Sequence, residues 1–136
     1  MSAKDIRWQQ RFQNFEKAFF RLKEALDEKY LNELERNGLV QRFEFTLELC
    51  WNTLKDYMEA EGLQFKPTPK ETIRQANKSG LLENAQELID GLDVRNELSH
   101  DYSGEKFEKS EDKIRQQIFP AIEKVYLFFK NQPKSA

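Results

Sequence analysis

The chain has 136 residues, of which 38% are hydrophobic and 34% charged, enough for one domain that buries its own core. Twenty-two basic side chains against 24 acidic ones leave a net charge of −2, which argues against a surface coated in positive charge for non-specific nucleic-acid binding and leaves room for a local basic cleft. A single cysteine, Cys50, excludes an internal disulfide, and one cysteine with one histidine cannot build a Cys/His zinc site, so no metal or cofactor is expected.

No apolar run approaches the roughly 18 residues of a membrane span, and Met1–Gln10 lacks a signal-peptide core. A cytoplasmic protein is expected.

Hydrophobic spacing is helical nearly throughout. Trp8, Phe12, Phe15, Phe19, Leu22 and Leu26 recur at four- and three-residue intervals, a seam along one face of a first helix. A polar connection, Asn32–Gly38, follows. Phe43, Leu47, Cys50 or Trp51, Leu54 and Met58 make the stripe of a second long helix, and Gly62 supplies its stop. The segment GLQFKPTP then reads as a stiff connector. Thr68 can cap a short third helix, with Pro69 in its first turn, Glu71 completing a capping box and an end near Gly80. A fourth helix begins around Leu82–Ala85 and runs to about His100, closed by Ser103-Gly104. The last is expected from about Ser110 to Lys130, with Pro120 kinking or breaking it, and residues 132–136 as a frayed tail. The fold class expected is all-α: an antiparallel four-helix bundle with an additional short helix, in one domain with its core over about residues 8–128.

The stretch that could carry chemistry is RNELSHDY, Arg95 to Tyr102, which contains the only histidine. If Leu88 and Leu92 face inward, Arg95 and Ser99 fall in the same apolar stripe, where an arginine is costly without a partner. His100 lies about 140° around the axis from Arg95, so a straight helix does not bring the two together. Either the helix distorts at its end, or two protomers share the site across a two-fold axis. His100, near a helix C-terminus and beside Asp101, sees negative potential that favours its charged form. Arg95 offers a permanent planar cation suited to phosphate. Together they could cleave RNA without a metal, His100 moving protons and Arg95 stabilising the phosphorane. The plainer reading is a surface histidine at a helix end and an arginine in a structural ion pair, with Asp93 and Glu97 as nearby carboxylates. Spacing alone leaves both open.

The pattern Arg95-x4-His100-x-Tyr102 resembles the HEPN superfamily. More closely, the chain is similar to the nucleotidyltransferase substrate-binding proteins, relatives of the HepT toxins. The resemblance runs through FEFTLELCWNTLKDYMEAEG, PKETIRQANKSGLL and DVRNELSHDY, over roughly residues 8–128. It implies a helical bundle that forms a homodimer with a cleft at or near the interface, and a separately encoded nucleotidyltransferase partner of the MntA type. It also implies that Arg95 and His100 carry metal-independent RNase activity, and that Tyr102 is where the partner attaches adenylate groups to silence the toxin. The alternatives are a non-catalytic subunit that binds a nucleotide or presents a substrate, and a plain helical adaptor. No GS-x10-DxD-like arrangement marks the chain itself as a transferase.

Three further features stay open. Asn96 could orient phosphate or cap the helix. Glu48, Trp51 and Lys55 read functionally as one wall of the cleft, and structurally as a core tryptophan with Glu48 and Lys55 paired on the surface. Gly91 sits inside the fourth helix, where it costs about 1 kcal/mol relative to alanine; it reads either as the close approach of another helix, for instance across the dimer, or as a tolerated imperfection.

Overall fold

The computed structural model describes residues 2–29, 31–100 and 104–133. Every regular element among them is helical: α1 (Ala3–Leu26), α2 (Glu33–Ala60), α3 (Pro69–Lys78), α4 (Ala85–His100), α5 (Gly104–Lys113), a π-helical turn (Ile114–Ile118) and α6 (Phe119–Lys130). The first two helices pack against each other along their lengths. α4 and the long α5–π–α6 element supply the other walls of a four-helix bundle, and the short α3 packs on α2 and α4.

The seam expected on the first helix is buried from Trp8 to Leu22, while Leu26 is half-buried at its end. Its rings meet those of α6: Phe19 stacks on Tyr126 with centroids 4.5 Å apart, and Phe12 stacks on the same tyrosine at 5.8 Å. Such pairs contribute about 0.5–1.5 kcal/mol each beyond their burial. All six residues of the second stripe are buried as well, Cys50 included.

Local end signals explain most boundaries. Gly62 has φ +84°, and the Leu63 and Gly62 N–H groups bond back to the carbonyls of Met58 and Glu59, each at 3.0 Å. This left-handed end satisfies carbonyls that α2 would otherwise leave open. Gly80 closes α3 in the same way, with φ +79°. Thr68 caps α3 by accepting from the Glu71 N–H at 3.4 Å. The Glu71 carboxylate, expected to complete the box, instead accepts from Arg74 at 2.8 Å.

Two expected boundaries move. The connection between α1 and α2 is shorter than residues 32–38, because Asn32 and Glu35 form a reciprocal capping box and α2 starts at Glu33. Gly38 therefore lies inside α2. The last helical element also starts earlier, at Gly104, and its irregularity precedes Pro120. The Phe119 N–H reaches back five residues to the Ile114 carbonyl. That widened turn lets Pro120, which has no N–H to give, sit in the first turn of α6.

Two contacts then fix the π turn. Arg115 donates to the carbonyl of Leu26, the last residue of α1, and to that of Glu28 just beyond it, while its Nε holds Glu111 at 2.8 Å. The backbone N–H groups of Asp27 and Glu28 satisfy the carbonyls of Lys23 to Ala25, and the guanidinium takes the last one, Leu26. On the other side, Ile118 presses on Gly91 of α4. A methyl group at Gly91 would stand 3.0 Å from Ile118 Cγ2 and 3.7 Å from Leu47. The close approach that Gly91 permits is therefore made within the chain.

Candidate functional site

Arg95 projects from the C-terminal half of α4 toward α2. Its side chain is 25% exposed, and Nη1 lies 3.3 Å from Glu48 Oε2. The neighbouring acids Asp93 and Glu97 do not take this role. Both lie on α4 itself, and on faces turned away from Arg95. The partner comes from the adjoining helix, which sequence spacing does not reveal.

Glu48 is itself braced. The Trp51 indole N–H donates to the same Oε2 at 3.0 Å. The Asn52 amide donates to Oε1 at 3.2 Å and to the Glu48 carbonyl at 2.8 Å. Trp51 is buried, and the Glu48 carboxylate satisfies its one polar side-chain atom. The carboxylate thus accepts from three donors, and its orientation is set before Arg95 arrives. Asn52 was not anticipated as a participant, although its position one turn after Glu48 was visible.

Of the three residues read as a cleft wall, Glu48 and Trp51 adjoin Arg95. Lys55 does not pair with Glu48; its ammonium stands 3.9 Å from Asp56 Oδ1. Two helical turns separate Lys55 from Glu48, too far along the axis for the surface pair expected of them. Asn96 lies one turn inside α4 and so does not cap it. Its side chain is exposed, and its carbonyl accepts from the Ser99 hydroxyl at 2.8 Å. Ser99 is exposed instead of sharing the inner stripe.

His100 is the last residue of α4, as expected. Its side chain, and Tyr102 entirely, lie outside the described residues. The described residues thus place the Arg95 guanidinium on an open face, five residues ahead of the helix-terminal histidine. Because Glu48 is 53% exposed, the ion pair faces water and can be displaced by a phosphate at modest cost.

A second arginine–carboxylate pair against α2 serves as a reference. Arg11 Nε meets Asp56 Oδ2 at 2.5 Å, and the Asp56 side chain is only 1% exposed. Among the described residues no group of three or more His, Cys, Asp or Glu side chains could hold a metal ion, and no helix is long and apolar enough to cross a membrane.

Residues 10–131 match the protein family described as nucleotidyltransferase substrate binding protein like. A crystal structure of a protein from Thermus thermophilus is similar to this bundle at 30% sequence identity and a TM-score of 0.70, covering 85% of this chain and 96% of that one. No curated protein matches the chain.

Proposed function

Because the chain belongs to the nucleotidyltransferase substrate-binding-protein-like family, we propose that it is the helical partner of a separately encoded nucleotidyltransferase of the MntA type. In this reading it works in the cytoplasm as a HepT-like homodimer and a metal-independent ribonuclease. Arg95 binds and stabilises the scissile phosphate, and His100 transfers the protons. Asn96 contacts the phosphate or its ribose. Tyr102 is the position at which the transferase silences the toxin.

The observation that carries this reading is the braced Arg95. In a structural pair the acid is usually sealed from water, as Asp56 is beneath Arg11. Arg95 is held by Glu48, which Trp51 and Asn52 orient, yet the Glu48 carboxylate stays open to solvent. An oriented, exchangeable guanidinium is what in-line phosphate chemistry requires.

The second reading is a non-catalytic subunit that presents a nucleotide or another substrate to the transferase. It is favoured by the same Glu48 contact, since a guanidinium already engaged is suited to binding an anion by exchange. One experiment separates the two. Purified protein, shown by mass spectrometry to be unmodified at Tyr102, is incubated with varied RNAs in EDTA beside Arg95→Ala and His100→Ala, with folding checked by circular dichroism. Cleavage by the parent chain alone is the expected result. No cleavage by any of the three would overturn the ribonuclease reading in favour of the binding subunit.

A further inference from the structure

Where α2 faces α1, the two helices enclose a groove of about 640 Å³. It exists because small residues stand where side chains would otherwise meet. Ala18 contributes little more than a methyl group, and nothing lies within 4 Å of a Cβ placed on Gly38. Thr46 holds this spacing by donating to the Ala18 carbonyl at 3.1 Å and to the Arg42 carbonyl at 2.6 Å.

Two kinds of side chain line the groove. Lys17 and Arg21, one turn apart on α1, face Arg42 on α2, and no acidic residue lines this part. Arg42 Nη1 donates to the Arg21 carbonyl at 2.8 Å, which keeps its guanidinium beside Arg21. None of the three has a carboxylate partner among the described residues, in a chain that carries net negative charge. Beside them Phe45 is 66% exposed, over the half-buried Leu49. A phenylalanine left in water forgoes the burial that stabilises the rings of the core. At the far end the groove continues past Gly38 into a segment lined by Glu24, Glu28 and Glu35, which confines an anion to the basic end.

We infer that this groove binds a nucleoside phosphate, with the base stacked on Phe45 and the phosphates held by Lys17, Arg21 and Arg42. The volume falls within the usual range for small-ligand pockets, about 300–1,000 Å³. A flat apolar ring next to converging cations is the complement of a nucleotide, whose aromatic base and polyanionic tail need both surfaces at once. Phe45 precedes Glu48 by one turn of α2, about 4.5 Å along the axis, so the groove and the Arg95 site share one ridge. The inference goes beyond the ribonuclease reading and stands whether or not Arg95 and His100 cleave RNA.

Isothermal titration calorimetry of the full chain with ATP, adenosine and inorganic tripolyphosphate tests both halves of the site. ATP is expected to bind at least about tenfold more tightly than either fragment. Phe45→Ser and the double variant Lys17→Glu/Arg21→Glu should each weaken ATP at least about tenfold, whereas Lys106→Glu on the exposed face of α5 should bind as the parent does. All these positions are at the surface, and circular dichroism confirms that the variants fold. A single-stranded hexaribonucleotide identifies the source: tighter binding than ATP, lost in the same variants, assigns a nucleotide unit of an RNA strand, and weaker binding assigns a free nucleotide. Tripolyphosphate binding as tightly as ATP would reduce the groove to a non-specific anion patch and overturn the inference. So would ATP binding that survives every groove variant. No ATP binding by the parent, with Phe45→Ser changing the mass seen by light scattering, would make the groove a subunit interface instead.

Discussion

Two arginines reach α2, and they are built for opposite ends. Arg11 of α1 meets Asp56, whose carboxylate is almost wholly withdrawn from water. Arg95 of α4 meets Glu48, whose carboxylate is more than half exposed and is oriented by Trp51 and Asn52. Chemically the pairs are alike. Removing the partner of the buried acid leaves a charge with nowhere to go, whereas removing the partner of the open acid leaves one that water solvates. A buried pair constrains the fold; an open and braced pair can release its arginine to a ligand.

The comparison can be broken at its strongest point first. Arg11→Ala should lower stability by about 3 kcal/mol in urea unfolding, the low end for a broken buried pair because Arg11 itself is one-third exposed. A loss under about 1 kcal/mol would mean that Lys55, 3.9 Å from the same carboxylate, suffices as its counter-charge. Gly91→Ala comes next. The gain in helix propensity is outweighed by the clash with Ile118 Cγ2, so a loss of about 1–2 kcal/mol is expected, partly recovered in Gly91→Ala/Ile118→Leu, because leucine lacks the Cγ2 methyl.

A smaller effect appears only in alkali. Burial, then the bond it donates to Glu16, pushes the Tyr126 phenol up to about 12. Its folded value lies above the unfolded value of about 10, so the folded state holds the proton more tightly. The stabilisation linked to it is complete below about pH 10 and is lost as pH rises toward 12. Tyr126→Phe should therefore flatten the fall in unfolding midpoint over that window; an unchanged slope would assign the alkaline loss to other groups.

Arg95→Ala should cost least, under about 1 kcal/mol, while abolishing RNA cleavage or substrate binding. Should it instead destabilise as much as Arg11→Ala, the contrast between the two pairs would collapse and Arg95 would be structural.

Much of the bundle was legible in the chain. Trp8 through Leu22 and Phe43 through Met58 show helical periodicity so long that no other element can bury them, and Gly62 and Gly80 mark ends because their left-handed backbone suits glycine. The Asn32–Glu35 capping box was equally visible as a pattern, but the polar run around it resembles a loop until α1 is there to pack on. For the candidate site, local signals reached Arg95 and the end of α4 at His100 and no further. Glu48 is 47 residues from Arg95, and its choice over Asp93 and Glu97 depends on which helix lies opposite.

What the sequence by itself determined is therefore the set of helices and their buried faces, because hydrophobic spacing and end signals act over a few residues. Only the tertiary structure decided that Gly91 makes room for Ile118, that Arg115 reaches the end of a helix nearly ninety residues away, and that one arginine's carboxylate partner is sealed while another's stays open. Those outcomes depend on distance and solvent access between elements, quantities that come into being only when the helices pack.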